Sequence, residues 1–471
     1  MRQATKTSAV VALTAVLSGI AVAVRSSTTE VLVRRRLLGL DPTGIGFNLY
    51  RATDGGGETK LNSSALTGGT NFVDSTADAS RATSYRVRPV VSGVEQAPSG
   101  AFTPAANRAV EPVVRVPLRA GGAVKFLWVG DLDGDGEYDY VLDRQTSPQK
   151  IEAYRRDGRF PWQVDMGPNS TDQDNIEGGS ATIDVGHDDG VTVQDLDSDG
   201  RAEVAVRIAD GVTFGNGVRF TDSDDNRRLR YTLGPAGVVH GDRFHIADLD
   251  PSRPGLEGYG VQQVNPSGLR DYYYDAVNGT IIRRHTESGT ADVGRGMAGD
   301  VDPRHPGMEV WASSGLHNAA TNRLTQSSTS LQPWPRLGLH WDGDTTVELL
   351  NDDKFEKWNP TSPTTTNSVP RLLATSQYGV VDAAQGNSPV IYRDILGDWR
   401  EEIHYTNAAF NELIIFTTNR PSGTRLCTLA HNPAYRNAMT LKGSLQSHHV
   451  DYFLGANMAA PPRPDITYPS R

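Results

Sequence analysis

The chain repeats one kind of chemistry along its 471 residues: short runs of carboxylates spaced so that their oxygens converge on one point. Asp131, Asp133, Asp135 and Asp139 lie in DLDGDGEYD, and Asp195, Asp197, Asp199 and Glu203 lie in DLDSDGRAE. Looser copies carry Asp248, Asp250 and Glu257, then Asp300, Asp302 and Glu309, then Asp394 and Asp398. Acids at the first, third and fifth positions, a turn glycine at the sixth and a later acid form a hard oxygen shell suited to Ca2+. The pattern predicts several calcium ions, most of them structural, that staple long loops. The competing reading is that these aspartates only close Asx turns at strand ends.

The elements that hold such loops are short apolar runs, such as Phe126-Leu-Trp-Val before Asp131 and Tyr140-Val-Leu after Asp139. Runs of that length are strands, not the helices of a helix-loop-helix calcium module. The loops begin 64, 53 and 52 residues apart at 131, 195, 248 and 300, which suits one four-stranded blade per repeat. The expected fold is therefore all-β, a calcium-stapled β-propeller over residues 111–471 with about six countable units. Gly 48, Pro 27 and a 37% hydrophobic content agree with a turn-rich β protein.

A net charge of −10 argues against a general nucleic-acid binder. Cys427 is the single cysteine, which excludes an intrachain disulfide and reads as packing filler. Residues 1–25 read as a secretory signal, with Arg2 and Lys6 ahead of an apolar stretch, so a secreted protein is expected; a membrane anchor is the competing reading. Residues 26–104 read as a small fibronectin-III-like β-sandwich, linked near residues 98–110 to the repeats.

Several strings then resemble one family. VHGDRFHIAD from Val239, GRGMAGDVDP from Gly294, LGDWREE from Leu396 and TLAHNPAYR from Thr428 are similar to the secreted rhamnogalacturonan lyases of polysaccharide lyase family 11. The resemblance spans nearly the whole chain. It implies an eight-bladed propeller behind a fibronectin-type sandwich, several calcium ions, and β-elimination on rhamnogalacturonan I, a pectic polysaccharide. It also implies no nucleic-acid or membrane partner, and a monomer is expected.

Such chemistry needs a cation against the uronate carboxylate, a base at C5 and a proton for the leaving O4. His240 and Asp242, in His-Gly-Asp, are the leading functional calcium pair, with His240 alternatively a base; the resemblance places them in the cleft. Arg295, between two glycines, is expected to clamp a uronate carboxylate or act as base. Arg400 is a third catalytic candidate, with a salt-bridge role as the alternative. His187 is expected to line the cleft, while His245 and Trp128, Trp311, Trp341 and Trp399 read as packed residues.

The chain also departs from the family. A long stretch present in relatives is missing near Arg227–Leu229, so that two distant pieces are joined. The alternative function is therefore a non-catalytic calcium propeller that binds pectin or another glycan; a protein-binding propeller is a weaker third reading.

Overall fold

The computed structural model describes residues 22–167, 170, 191–196, 199–206, 213–214, 218–219, 233–241, 243–312, 315–361, 363–380, 389–439 and 448–464. Among the described residues almost all regular structure is β.

The first unit is a sandwich of a three-stranded and a four-stranded sheet. Its longest strand, Thr83–Val91, buries every second residue at first, the signature of one face on a core and one in water. Its edge begins earlier than expected. Val22–Arg25 pairs antiparallel with Val31–Arg34, and Ala23 and Val24 are fully buried. The boundary at residue 26 is thus corrected: the last residues assigned to the signal are a strand of the sandwich core.

Six further sheets follow in chain order. Blade 1 comprises Leu127–Gly130, Asp139–Arg144, Lys150–Tyr154 and Trp162–Asp165. Blade 2 shows two strands, Val191–Gln194 and Glu203–Val206. Blades 3, 4 and 5 are four-stranded meanders that begin at Phe244, Met297 and Leu337. Blade 6 takes three strands from Ile391 to Phe416 and its fourth, Val113–Pro117, from the start of the propeller. That pairing ties the two ends of the repeat array together.

Apolar clusters join blade 1 to 2, 3 to 4, 4 to 5, 5 to 6, and 6 back to 1. The first strands are packed closely: a Cβ on Gly130 would lie 2.6 Å from Val193 and 2.7 Å from Ala202. Trp128, Trp311, Trp341 and Trp399 are buried in this core, as their contexts predict. The helix Pro433–Ala438, N-capped by Asn432, sits against these inner strands, where Arg436 donates to the carbonyls of Val193 and Val129.

No apolar cluster among the described residues joins blade 2 to blade 3. There the first strand of blade 3 leaves Phe244 and Ile246 exposed at 37% and 36%.

His404, on the second strand of blade 6, is completely buried near Tyr140, and neither ring nitrogen has a partner. Burial pushes its pKa down to about 3, so the folded state holds it neutral while the unfolded chain binds a proton below about 6.5. Its contribution is complete above that value and is lost as pH falls toward 3. His404→Leu is expected to be more stable than the parent at pH 5 and to show an acid limb shallower by up to ~1.4 kcal/mol per pH unit. Urea melts at pH 5 and pH 8 measure this; equal pH dependence in both proteins would refute it.

Candidate functional site

Every acidic loop connects the first strand of a blade to its second, whereas Arg295 and His240 lie in segments that lead into a first strand. In an antiparallel blade these two kinds of connection fall at opposite ends of the ring. The molecule therefore has an acidic end and an opposite mouth.

At the acidic end one contact recurs in all six blades. A carboxylate that opens or immediately precedes the second strand accepts backbone N–H groups from the turn after the first strand. Asp139 accepts from Leu132, Glu203 from Leu196, Glu257 from Leu249 and Asp250, and Glu309 from Val301 and Asp302. Glu348 accepts from Trp341 and Asp342, and Glu402 from Ile395 and Leu396. The blade 5 loop, DGDTTVE from Asp342, escapes the sequence pattern because His340 stands where other loops have their first aspartate.

The blades differ in what neutralises these acids. In blade 1, Asp131, Asp133 and Asp139 bring their oxygens within 4.8 Å of one another. Asp131 takes the N–H groups of Gly134, Asp135 and Gly136, while Asp135 accepts from Glu137 outside that cluster. One Asp133 oxygen is buried without a partner, but Arg155 reaches Asp139 at 2.5 Å and Asp133 at 3.3 Å. Blade 2 repeats the turn, with Asp195 accepting from Asp199 and Gly200; Asp197 lies outside the described residues.

In blades 3 and 4, Asp248 and Asp300 each bury one carboxylate oxygen with no partner. Their other oxygens accept from Phe453 and Ala456 of the C-terminal segment. Burial, reinforced by neighbouring acids, pushes Glu309 up to about 9, and Asp300 and Glu257 up to about 7. Acids this costly to ionise with orphaned oxygens fit a bound divalent cation.

Blades 5 and 6 are different. The Lys357 ammonium lies 2.9, 2.6 and 2.7 Å from Asp342, Asp344 and Glu348, at the centre of the three carboxylates. Burial alone would lower the Lys357 pKa, but these acids raise it above the ordinary lysine range. In blade 6, Arg34 of the sandwich bridges Asp398 at 3.2 Å and Glu402 at 3.1 Å, all three buried. Asp394 instead takes the Gly397 and Leu429 N–H groups and the Thr428 hydroxyl. Asp394 and Asp398, expected as metal ligands, are held here by backbone N–H groups, a hydroxyl and a guanidinium.

The candidate catalytic groups are also divided. Arg400 is 0% exposed at the acidic end, donating to Asp398 and to the Arg420 carbonyl. These contacts are those of its salt-bridge alternative, and they lie at the acidic end because Leu396-Gly-Asp398 follows a first strand rather than preceding one. His240 and Arg295 lie exposed at the mouth on adjacent blades. Gly294 has φ of 64°, and a Cβ on Gly296 would lie 2.3 Å from Val261, so these glycines serve the backbone and turn Arg295 outward. His187 and Asp242 lie outside the described residues. His245 is buried, its ring bonded to the Gly296 carbonyl and to His449, each at 3.2 Å.

The model of the rhamnogalacturonan lyase family 11 C-terminal domain matches residues 125–234 and again 223–464, and that of the rhamnogalacturonan I lyase β-sheet domain matches 16–105. Rhamnogalacturonan endolyase YesW of Bacillus subtilis (strain 168) is 27% identical over 603 aligned residues, covering 93% of this chain and 91% of the relative. Rhamnogalacturonan exolyase YesX of the same organism is 26% identical, covering 93% and 94%. The crystal structure of YesW superposes with a TM-score of 0.79 at 25% identity, over 96% of this chain and 99% of that one. The Bacillus licheniformis rhamnogalacturonan lyase PL11 gives 0.78 at 26%, over 96% and 98%. The YesW alignment is longer than this chain, so that relative carries residues this chain lacks, and the family model matches in two segments that meet at 223–234.

Lys357→Met leaves three convergent carboxylates without their cation. The variant is expected to lose about 3–5 kcal/mol in chelator and to bind one more calcium ion than the parent, with part of the loss recovered. Thermal melts and metal counting after dialysis test it; a variant as stable as the parent in chelator would show the ammonium to be dispensable.

Proposed function

This chain belongs to rhamnogalacturonan lyase family 11, and we propose that it is a secreted, calcium-dependent lyase that cuts rhamnogalacturonan I by β-elimination. Both domains match family models, and the observation that carries the reading is the grouping of exposed His240 and Arg295 at the mouth, away from the acidic scaffold. The sequence features of the residues ahead of the strand Val22–Arg25 support export.

Removing the C5 proton of a galacturonate puts negative charge beside its carboxylate, so catalysis depends on cationic groups placed against that carboxylate. Arg295, exposed and turned outward, is suited to pair with it through a bidentate contact. His240 is suited to accept the C5 proton from one face or to hydrogen-bond the sugar. A calcium ion held in the mouth with Asp242 would supply further charge neutralisation. At the acidic end, the unpartnered oxygens of Asp133, Asp248 and Asp300 support structural calcium in blades 1, 3 and 4. Blades 5 and 6 carry protein cations instead.

The second reading, a glycan-binding propeller without turnover, is favoured by one observation. The family model matches in two segments that meet at residues 223–234, just ahead of His240, and a loss of length there would leave the cleft incomplete on that side.

The full chain with calcium is expected to raise the ultraviolet absorbance of unsaturated uronide on rhamnogalacturonan I, not on homogalacturonan, and to stop in chelator. Arg295→Ala should lower kcat/KM by about 10²–10³ while the melting temperature stays unchanged. Unchanged turnover in both Arg295→Ala and Asp242→Ala would remove these residues from the site. A cooperatively melting protein with no absorbance rise would establish the binding reading instead.

A further inference from the structure

Of the seven tryptophans, five are buried, Trp162 is half-buried, and Trp334 alone presents most of its surface, at 55% exposure. It lies in Leu331-Gln-Pro-Trp-Pro-Arg336, the segment that leads into the first strand of blade 5, and therefore at the mouth.

The loop beneath it is rigid. The buried Trp311 indole donates to the Pro333 carbonyl at 3.0 Å, and Trp358 donates to Leu331 at 3.0 Å. Gln332 donates to Ala312 at 2.7 Å, and Arg336 N–H donates to the Trp334 carbonyl at 3.0 Å. Prolines on both sides fix the neighbouring φ angles. An exposed indole costs free energy in water, and here the side chains of Trp311 and Trp358 hold the backbone that displays it, with Gln332 of the loop anchoring back to blade 4.

Above the ring, the Arg295 guanidinium carbon lies 5.8 Å from the centroid, within cation–π range. The positive group and the largely exposed indole thus lie together where the mouths of blades 4 and 5 meet. A uronate alternating with a deoxyhexose carries both complementary features: a carboxylate on one residue and an apolar pyranose face, with its methyl group, on the next.

We propose that Trp334 is a sugar-stacking platform that holds the 6-deoxyhexose next to the uronate clamped by Arg295. It is a positioning residue that sets which backbone disaccharide is bound in register. This inference rests on the lyase reading for its ligand class.

The test compares Trp334→Ala and Trp334→Phe with the parent in two assays: kinetics on rhamnogalacturonan I, and electrophoretic retardation in gels containing that polysaccharide. Trp334→Ala should raise KM roughly tenfold with kcat within about twofold, lose retardation and keep its melting temperature, because the side chain is exposed. Trp334→Phe should recover most of the affinity. Unchanged KM and retardation in Trp334→Ala overturn the platform while leaving the lyase reading intact. If the parent is retarded but does not cut, the lyase reading fails and the alanine variant's retardation still decides the platform. If the parent neither cuts nor is retarded, both fail.

Discussion

The structure depends on a buried carboxylate that needs a counter-charge. Each blade turns from its first to its second strand around an acid that accepts the turn's own N–H groups, from Asp139 in blade 1 to Glu402 in blade 6. That contact fixes the turn, but it also drives an ionisable group into the protein, where burial, with Asp342 nearby, pushes Glu348 up to about 8 even though Lys357 opposes the shift. The contact is stable as an anion only where a cation stands beside it. Cation supply, more than strand propensity, therefore separates one blade from another.

Two supplies are visible, and a third is the calcium proposed above: blade 5 fills the space with Lys357 from its own third strand region, blade 6 borrows Arg34 from the sandwich, and blades 3 and 4 bury carboxylate oxygens without a protein partner. The last choice couples two domains: the sandwich docks on the acidic end because its buried guanidinium completes a blade. Arg36 adds to this by donating to the Gly136 carbonyl and pairing with Glu137 in the blade 1 loop. The charged run Arg34–Arg36 is thus an interface, which explains why three arginines in succession are buried in a strand end.

Much of this was legible in the sequence, and the misses share a cause. Carboxylate spacing identified the loops at Asp131 and Asp195, and apolar flanks identified the strands that hold them. Spacing is local, however, and a counter-charge is not: nothing near Asp398 announces Arg34, which is hundreds of residues away in sequence. The blade 5 loop was missed because His340 replaces its first aspartate while Glu348 keeps the essential contact. For Arg400 the two sequence readings stay open because motif resemblance gives a neighbourhood without saying which end of the blade it occupies. The strand parity of an antiparallel meander supplies that information, and it sends Arg400 to the acidic end and Arg295 to the mouth. Trp334 left no motif; only its exposure, set against the burial of Trp311 and Trp358, distinguishes it.

The same division between ends explains how the chain accommodates a loss of length between blades 2 and 3. The exposed Phe244 and Ile246 are the face that a neighbouring blade would cover, and the family match restarts just before them. An open seam in a repeat array normally frays from its edges, since each repeat is stabilised by its neighbours. Here other contacts bypass the seam. Val113–Pro117 completes blade 6, and Arg436 of the C-terminal helix holds the inner strands of blades 1 and 2. On the far side, the segment after it binds Asp248 and Asp300 of blades 3 and 4. One C-terminal segment thus grips both sides of the seam at the acidic end. The mouth has no such strap among the described residues, where His240 and Arg295 lie exposed in segments that lead into first strands.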